Sequence, residues 1–215
     1  MLKNKSIFRC VNHVLFILMA SVFCLPASAN LLTNPGFEQP VTNDGYPFIG
    51  SWEAFFVDGN STAVNSLLMP HSGLQSVEMG IDGVANVFAG VFQEVDGLLA
   101  GQSVLFSGWH KSLLEQGGIE IRIEFRDLVN DVEISRTSNL VPTVGADYSQ
   151  FFVNSLIPLG ADGARVVYAI QSFGGATNQL VYVDDFSFVV TDVPEPSILA
   201  LLGIGLIGLG FLRRK

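Results

Sequence analysis

The sequence Ile119-Glu120-Ile121-Arg122-Ile123-Glu124-Phe125-Arg126 alternates apolar and charged residues without interruption. Successive side chains of a β-strand point to opposite faces, so this pattern gives one apolar face and one charged face. A helix would spread the same residues around its whole circumference. The segment therefore predicts a half-buried strand of an antiparallel sheet, with its apolar face on a core.

The flanking sequence has the same character, because short apolar or alternating segments are separated by clusters of Gly, Pro, Asn and Asp. No segment shows a sustained helical period. The predicted strands, besides Ile119–Arg126, are Gln75–Met79, Val84–Val95, Ser103–Lys111, Val132–Ser138, Ser149–Ile157, Ala164–Ser172 and Leu180–Val190. Many short strands with regular turns predict an all-β fold, specifically an antiparallel β-sandwich of the jelly-roll type.

The N-terminal residues 1–29 have the composition of a secretory signal peptide. A positive region with Lys3, Lys5 and Arg9 precedes the apolar run Val14–Leu25, and Ala27-Ser28-Ala29 provides the small residues that signal peptidase requires. Cleavage after Ala29 would start the mature chain at Asn30. It would also remove Cys10 and Cys24, the two cysteines of the sequence. A lipoprotein signal at Cys24 is not expected, because the bulky Phe23 precedes it.

The C-terminus contains three consecutive elements: Pro194-Glu195-Pro196, the apolar run Ile198–Leu212, and Arg213-Arg214-Lys215. The apolar run has 15 residues, four of them glycine, whereas a membrane-spanning helix needs about 20 apolar residues. The basic end is expected on the cytoplasmic side, with the rest of the chain outside the cytoplasm. A short segment of this kind suits a sorting signal that is removed, and a permanent C-terminal membrane anchor is the alternative.

This tripartite tail resembles the PEP-CTERM sorting signal of Gram-negative bacteria that make exopolysaccharide. The resemblance implies recognition by an exosortase, a membrane-embedded transpeptidase, and cleavage near Pro194–Pro196. It also implies an inner-membrane intermediate held by an apolar sorting helix, followed by transfer to the cell surface or extracellular matrix. The expected organisation is a signal peptide at 1–29, a β-sandwich at 30–190, a linker at 191–197 and a sorting signal at 198–215.

The charge of the mature region is strongly negative. Six of the 11 basic residues lie in the two terminal signals, which leaves five basic against 20 acidic residues between Asn30 and Glu195, a formal charge of −15. Such a surface repels nucleic acid and anionic lipid. It suits divalent cations and neutral partners, although an acidic surface is also common in exported proteins.

A second resemblance covers nearly all of Asn34–Val190. It is carried by Asn34-Pro35-Gly36-Phe37-Glu38, Trp52, His71-Ser72-Gly73-Leu74-Gln75-Ser76, Phe92-Gln93-Glu94-Val95 and Tyr182-Val183-Asp184-Asp185-Phe186. In this order they are similar to the galactose-binding-like jelly rolls, especially the carbohydrate-binding modules attached to xylanases and related enzymes. That superfamily also contains modules that bind no sugar.

The resemblance implies a structural Ca²⁺ site. Its ligands would be the Gly36 carbonyl, Glu38, and Asp184 or Asp185, with further oxygens from the loop His71–Gly73. Strand alternation places Asp184 on the same face as Phe186 and favours it as the inward ligand. The alternative is that Asp184 accepts backbone hydrogen bonds and binds no metal.

Aromatic side chains are the candidate contacts for sugar rings, and Trp109 and Trp52 are the foremost among them, with Arg122 on a neighbouring polar face. Most aromatic residues of a sandwich belong to its core. A solvated outer face with cross-strand ion pairs is the alternative for Arg122.

The expected function is that of an exported, exosortase-processed surface or matrix protein that binds a neutral exopolysaccharide. A structural surface protein with the same fold and no small ligand is the alternative. The sequence does not predict an enzyme, because it has no Gly-x-Ser-x-Gly and no His-x-x-x-His motif; a glycan-active enzyme is the remaining, less favoured possibility.

Overall fold

The computed structural model describes residues 29–114 and 117–191. These residues form ten strands and no helix, which confirms the all-β prediction. The strands are β1 (Glu53–Phe56), β2 (Ser61–Ser66), β3 (Ser76–Asp82), β4 (Phe88–Val95), β5 (Ser103–Ser112), β6 (Gly118–Asp127), β7 (Val132–Arg136), β8 (Ser149–Leu156), β9 (Gly163–Gln171) and β10 (Asn178–Val190).

The strands make two five-stranded antiparallel sheets packed as a sandwich. The first sheet has the order β1-β4-β9-β6-β7, and the second has the order β2-β3-β10-β5-β8. The alternating segment Ile119–Arg126 lies in β6, whose Ile119, Ile121, Ile123 and Phe125 all join the core between the sheets. The charged residues of β6 consequently line the outer face of the first sheet.

Aromatic rings fill much of the core. Phe186 lies at its centre, with ring centroids 5.1 Å from Phe37, 5.5 Å from Trp52, 5.3 Å from Phe106 and 5.4 Å from Phe151. Most of these pairs meet edge to face, the geometry that the charge distribution of aromatic rings favours. The described residues contain no cysteine, so this part of the fold is stabilised by packing and hydrogen bonds without a disulfide.

Two strands were not expected from the sequence. β1 is only four residues long, and β2 reads Ser-Thr-Ala-Val-Asn-Ser, which carries little apolar signal. Each of them is an edge strand that pairs with one neighbour. Edge strands need less apolar sequence because tertiary pairing, rather than propensity, places them.

A β-bulge in β10 corrects the predicted orientation of Asp184. The pairing of β10 with β5 shifts register between Asp184 and Ser187, and Asp185 has a positive φ of 49°. Before the bulge Val181 and Val183 face the core, and after it Phe186 and Phe188 do so. Asp184 therefore lies on the face opposite to the aromatic core, because the extra residue reverses the alternation.

The predicted terminal signals lie outside the described residues. This holds for the signal peptide apart from Ala29, for Pro194-Glu195-Pro196, and for the apolar segment with its basic end. Within the part of the chain that the structure describes, there is no helix of the length and hydropathy needed to cross a membrane.

Candidate functional site

The structure brings together three of the four predicted metal ligands beneath the loop at 71–75. Asp184 is completely buried, and its carboxylate accepts hydrogen bonds from the backbone N–H groups of His71 (2.8 Å), Ser72 (3.1 Å) and Asp185 (2.7 Å). A Cβ added to Gly36 would lie 3.5 Å from Asp185 Oδ1 and 4.0 Å from Asp184 Oδ1. These are ordinary van der Waals distances, so the N-terminal segment passes close to both carboxylates.

The other two acidic residues hold the same loop from different sides. Asp185 contacts His71 Nδ1 at 2.6 Å and accepts from the Ser72 hydroxyl at 2.7 Å. Glu38 Oε1 accepts from the backbone N–H groups of Leu74 (2.8 Å) and Gln75 (3.3 Å). The loop 71–75 is therefore clamped between the N-terminal segment and β10 by carboxylates.

The chemistry of these donors suits a hard cation, but their number is small. Burial raises the pKa of Asp184 to about 6, against the opposing effect of its backbone donors. Among the described residues, no group of three or more His, Cys, Asp or Glu side chains is arranged to hold a metal ion. Because Ca²⁺ takes six to eight oxygens, most ligands here would have to be carbonyl groups and water.

Trp109 lies beside this cluster, directly across from Asp184 in the β5–β10 pairing. It is half-buried, and the His71 ring stacks on it with centroids 4.2 Å apart and planes inclined by 17°. One face of the indole is thus covered by His71. The predicted metal site and the predicted aromatic platform are adjacent, which the sequence alone did not indicate.

Trp52 is a core residue. None of its surface is exposed, and its indole N–H donates to the Asn34 carbonyl at 2.9 Å. This burial excludes Trp52 from a surface platform, contrary to the expectation from sequence. Its hydrogen bond instead fixes the N-terminal segment to the core.

Arg122 lies on the outer face of the first sheet, where the charged side chains are ion-paired and largely covered. Its Nε is 2.7 Å from Glu124 Oε1 and its Nη1 is 3.5 Å from Glu120 Oε2. The side chain of Arg122 is only 16% exposed and that of Glu124 only 5%. The face is therefore not a fully solvated array of charges.

Small residues occupy the middle of the outer face of this sheet, between rows of larger side chains. Across β4, β9 and β6, one row of paired residues is Gly90, Ala169 and Glu120. The next row is Phe92, Val167 and Arg122. Gly90, Val167 and Ala169 lie between two rows of larger side chains and are covered by them, because the Phe55 ring occupies the space above Gly90 and because Val167 and Ala169 are 2% and 5% exposed. One wall consists of Phe55, Phe88 and Phe92, and the other consists of Glu120, Arg122 and Glu124; we call this surface the aromatic–arginine trough.

Arg165 closes one end of the trough. Its guanidinium lies 4.2 Å from the centroid of the Phe92 ring and 5.5 Å from that of Phe48, and its Nη2 is 2.7 Å from Glu94 Oε1. A cation over an aromatic face is attracted by the ring quadrupole. A cavity of about 120 Å³ lies next to it, lined in part by Phe48, Glu53, Phe92 and Glu94.

Sequence reasoning missed Phe88 and Phe92 as outward-facing residues of β4, of which Phe88 is 38% exposed and Phe92 is 9% exposed. The signal that could have found them is Phe88-x-Gly90-x-Phe92, which puts two rings and a gap on one face of a strand. Placing the arginine wall opposite these rings requires the pairing of β4, β9 and β6, which no local pattern shows.

Comparison with known proteins identifies the tail and the fold. Residues 192–215 match the PEP-CTERM protein-sorting motif. A motif of this kind implies an exported protein with a C-terminal membrane-anchoring signal. No curated protein matches the sequence of this chain.

Three solved structures illustrate the similarity in fold. The enzymatically active domain of tailspike protein 4 of bacteriophage CBA120 is 14% identical with a TM-score of 0.59, over 75% of this chain and 21% of that one. The CBM22-1 xylan-binding domain of Paenibacillus barcinonensis Xyn10C is 16% identical with a TM-score of 0.53, and the match covers 78% of this chain and 99% of that one. A family 16 carbohydrate-binding module is 18% identical with a TM-score of 0.52, and the match covers 74% of this chain and 99% of that one.

These neighbours establish a carbohydrate-binding-module jelly roll as the fold. This chain spans about a fifth of the tailspike chain, whereas it spans nearly the whole of the two binding modules. At such low identity the likeness concerns architecture alone.

Proposed function

We propose that this protein is exported, processed at its C-terminal motif by an exosortase, and binds a neutral polysaccharide at the cell surface or in the extracellular matrix. The observation that carries the binding proposal is the aromatic–arginine trough. Phe88 presents an exposed ring along one wall, and Glu120 and Arg122 present partly exposed hydrogen-bonding groups along the other, the combination that suits the two kinds of surface on a sugar ring.

The charge balance of the trough favours an uncharged ligand. Each of the four arginines on this sheet, Arg122, Arg126, Arg136 and Arg165, is ion-paired with a carboxylate. These four are among only five basic residues between Asn30 and Glu195. A polyanion would therefore find no free cationic patch here, and the acidic remainder of the surface would repel it.

Arg126 has one donor at an end of the trough that lacks a hydrogen bond. Its Nε is buried, lies 3.8 Å from Glu94 Oε1, and makes no hydrogen bond within residues 29–114 and 117–191. Unpaired buried donors are rare in native structures. The Glu94 carboxylate offsets the charge of the guanidinium, and a water or ligand hydroxyl would reach this donor only if the covering side chains moved.

No enzymatic activity is proposed. The two carbohydrate-binding modules are matched over nearly their full length, and the tailspike enzyme over only a part. A structural surface protein with no small ligand is the second candidate. It is favoured by the burial of Val167 and Ala169 beneath neighbouring side chains, since they are only 2% and 5% exposed.

Phe88→Ser tests the trough. Phe88 is 38% exposed and its ring lies 5.9 Å from that of Phe55. We expect its loss to weaken retention on a neutral polysaccharide by about tenfold, equivalent to about 1.4 kcal/mol, with the thermal melt nearly unchanged. Affinity electrophoresis on gels that contain neutral glycans would measure this.

Phe152→Ser is the matched control, because Phe152 is 55% exposed on the outer face of the second sheet. Trp109→Ala examines the sequence-based site on the same sheet. If Trp109→Ala weakens retention and Phe88→Ser does not, the binding site lies on the second sheet. No retention of the wild-type protein on any neutral glycan would favour the structural alternative.

We also propose one structural Ca²⁺ at Asp184, Asp185 and the Gly36 carbonyl, with Glu38 and the loop 71–75 supporting it. A cation there would offset the repulsion of two adjacent carboxylates, one of which is buried. It would tie the N-terminal segment to β10.

Thermal melts with Ca²⁺ and with a chelator test this site. At a hundredfold excess over Kd, binding to the folded state alone would stabilise it by about 2.7 kcal/mol. We expect the stabilisation in wild type and its loss in Asp185→Asn, while Asp82→Asn at an exposed position retains it. Identical melts of the wild-type protein in both solutions would exclude the site.

A further inference from the structure

Three loops and the departing chain meet at one end of the sandwich. The register pairs Val95 with Ala164, Ser103 with Leu156 and Asp127 with Val132, so the loops 96–102, 128–131 and 157–162 all cap the same end. The last described residue, Thr191, lies there too, because its N–H donates to the Ser103 carbonyl at 2.9 Å. We call this the exit end.

Hydrogen bonds hold the three loops together as one surface. Asp162 is the hub, since its carbonyl accepts from Leu98 N–H at 3.0 Å and its carboxylate accepts from Leu128 N–H at 2.8 Å. Gly101 N–H donates to the Ile157 carbonyl at 2.9 Å. The loop tips therefore keep a fixed arrangement relative to one another.

Each of these loops presents an aliphatic side chain to solvent. Leu99 is 65% exposed, Val129 is 84% exposed and Leu159 is 88% exposed, while Leu98 and Ile157 beside them are buried. Leu156, at the end of β8, adds a further apolar side chain that is 63% exposed. Exposed apolar residues grouped at one end of a domain mark an interaction surface.

The chain itself indicates what covers this surface. Six residues, 192–197, separate Thr191 from the apolar segment Ile198–Leu212 of the sorting motif. Even fully extended, six residues reach only about 20 Å. While that segment is in the bilayer, the exit end must therefore lie within about 20 Å of the membrane surface. We propose that the exit end docks on the lipid bilayer, with Leu99, Val129 and Leu159 entering the interfacial region.

The charges of the exit end indicate which type of lipid headgroup it would contact. Asp127, Asp131 and Asp162 lie in or beside these loops and are engaged with Asn130, Arg126 and Leu128 respectively. Asp96 and Asp131 are both exposed. No lysine or arginine occurs in the loops 96–102, 128–131 and 157–162. The surface thus lacks the basic residues that anionic headgroups attract, and zwitterionic headgroups are its expected partner. The inference rests on the sorting motif and is independent of glycan binding.

Fluorescence quenching in reconstituted vesicles tests the docking. The full chain with Cys10→Ser and Cys24→Ser would carry one label, at Val129→Cys or Leu159→Cys, in phosphatidylcholine vesicles. Phe173→Cys is the control, because Phe173 is 57% exposed in the loop 172–177 at the opposite end. We expect doxyl-labelled lipids to quench the labels at 129 and 159 at least about threefold more than the label at 173, and aqueous iodide to show the reverse order.

Equal doxyl quenching at all three positions would overturn the proposal. So would protection of 129 and 159 from both quenchers, which would instead indicate a second copy of the chain on the exit end. The double variant Leu99→Ser, Leu159→Ser, read at position 129, tests whether the apolar tips are responsible. Its doxyl quenching should fall to the level of position 173, and undiminished quenching would contradict the docking by these side chains.

Discussion

Replacing Trp52 with alanine is expected to lower the free energy of unfolding by about 3–5 kcal/mol, the range for removing a fully buried aromatic side chain. Trp52 has no exposed surface, and its ring lies 4.9 Å from Phe37 and 5.5 Å from Phe186. The substitution also leaves the Asn34 carbonyl without the indole N–H that lies 2.9 Å away. It would thus both open a cavity and free the N-terminal segment.

Urea unfolding followed by circular dichroism would measure this loss. Phe152→Ala is the control, because Phe152 is 55% exposed and surface substitutions usually change stability by less than about 0.5 kcal/mol. A Trp52→Ala variant with a stability within 1 kcal/mol of wild type would show that Trp52 is not in the core.

Acidification is expected to destabilise the fold through His110. This residue is 2% exposed, its Nδ1 lies 2.9 Å from the Tyr168 hydroxyl, and burial lowers the pKa of His110 from 6.5 to about 4. His110 is therefore protonated below about pH 6.5 in the unfolded chain but only below about pH 4 in the folded chain. The stability that the neutral imidazole contributes is complete above pH 6.5 and is lost as the pH falls towards 4, by about 2 kcal/mol between pH 7 and pH 5.

Asp184 acts in the opposite direction. Burial raises the pKa of Asp184 from 3.8 to about 6, so the folded chain takes up this proton first and gains about 1 kcal/mol of stability between pH 7 and pH 5. The two effects partly cancel in the wild-type protein. If Ca²⁺ binds the Asp184 carboxylate, Asp184 no longer adds stability on acidification. The stability lost through His110 is then observed without this compensation.

His110→Gln separates the two contributions, because glutamine has no titrating group. We expect wild type to lose about 2 kcal/mol more than His110→Gln between pH 7 and pH 5, measured by urea unfolding in the presence of a chelator. Parallel curves for the two proteins would mean that His110 keeps its ordinary pKa. Should His110→Gln not fold, the pKa of His110 can be followed directly by NMR of its ring protons.

The sequence was informative where local alternation determines the structure. The period of two in Ile119–Arg126 predicted β6 and its buried face correctly, because that strand is regular and lies between two partners. The same rule misplaced Asp184, since a single bulged residue at Asp185 inverts every later side chain. Trp52 could not be assigned to the core, because no periodic segment surrounds it.

The candidate site was less accessible to sequence reasoning because it depends on non-local pairing. Asp184 and Gly36 could be associated through a family resemblance, but the stacking of His71 on Trp109 could not. The aromatic–arginine trough joins residues from β4, β9 and β6, whose order in the sheet differs from their order in the sequence.

The position of β10 also has a kinetic consequence for secretion. β10 is the last strand in the chain, yet it occupies the middle of the second sheet between β3 and β5. The N-terminal segment of the sandwich depends on it as well, since Asn30 and Leu31 bond to the backbone of Phe186 and Phe188. Contacts this distant in sequence form slowly. A nascent chain still emerging from the translocation channel would therefore lack its second sheet until residues near 190 had passed, and the sandwich would close only after transport of the domain is complete.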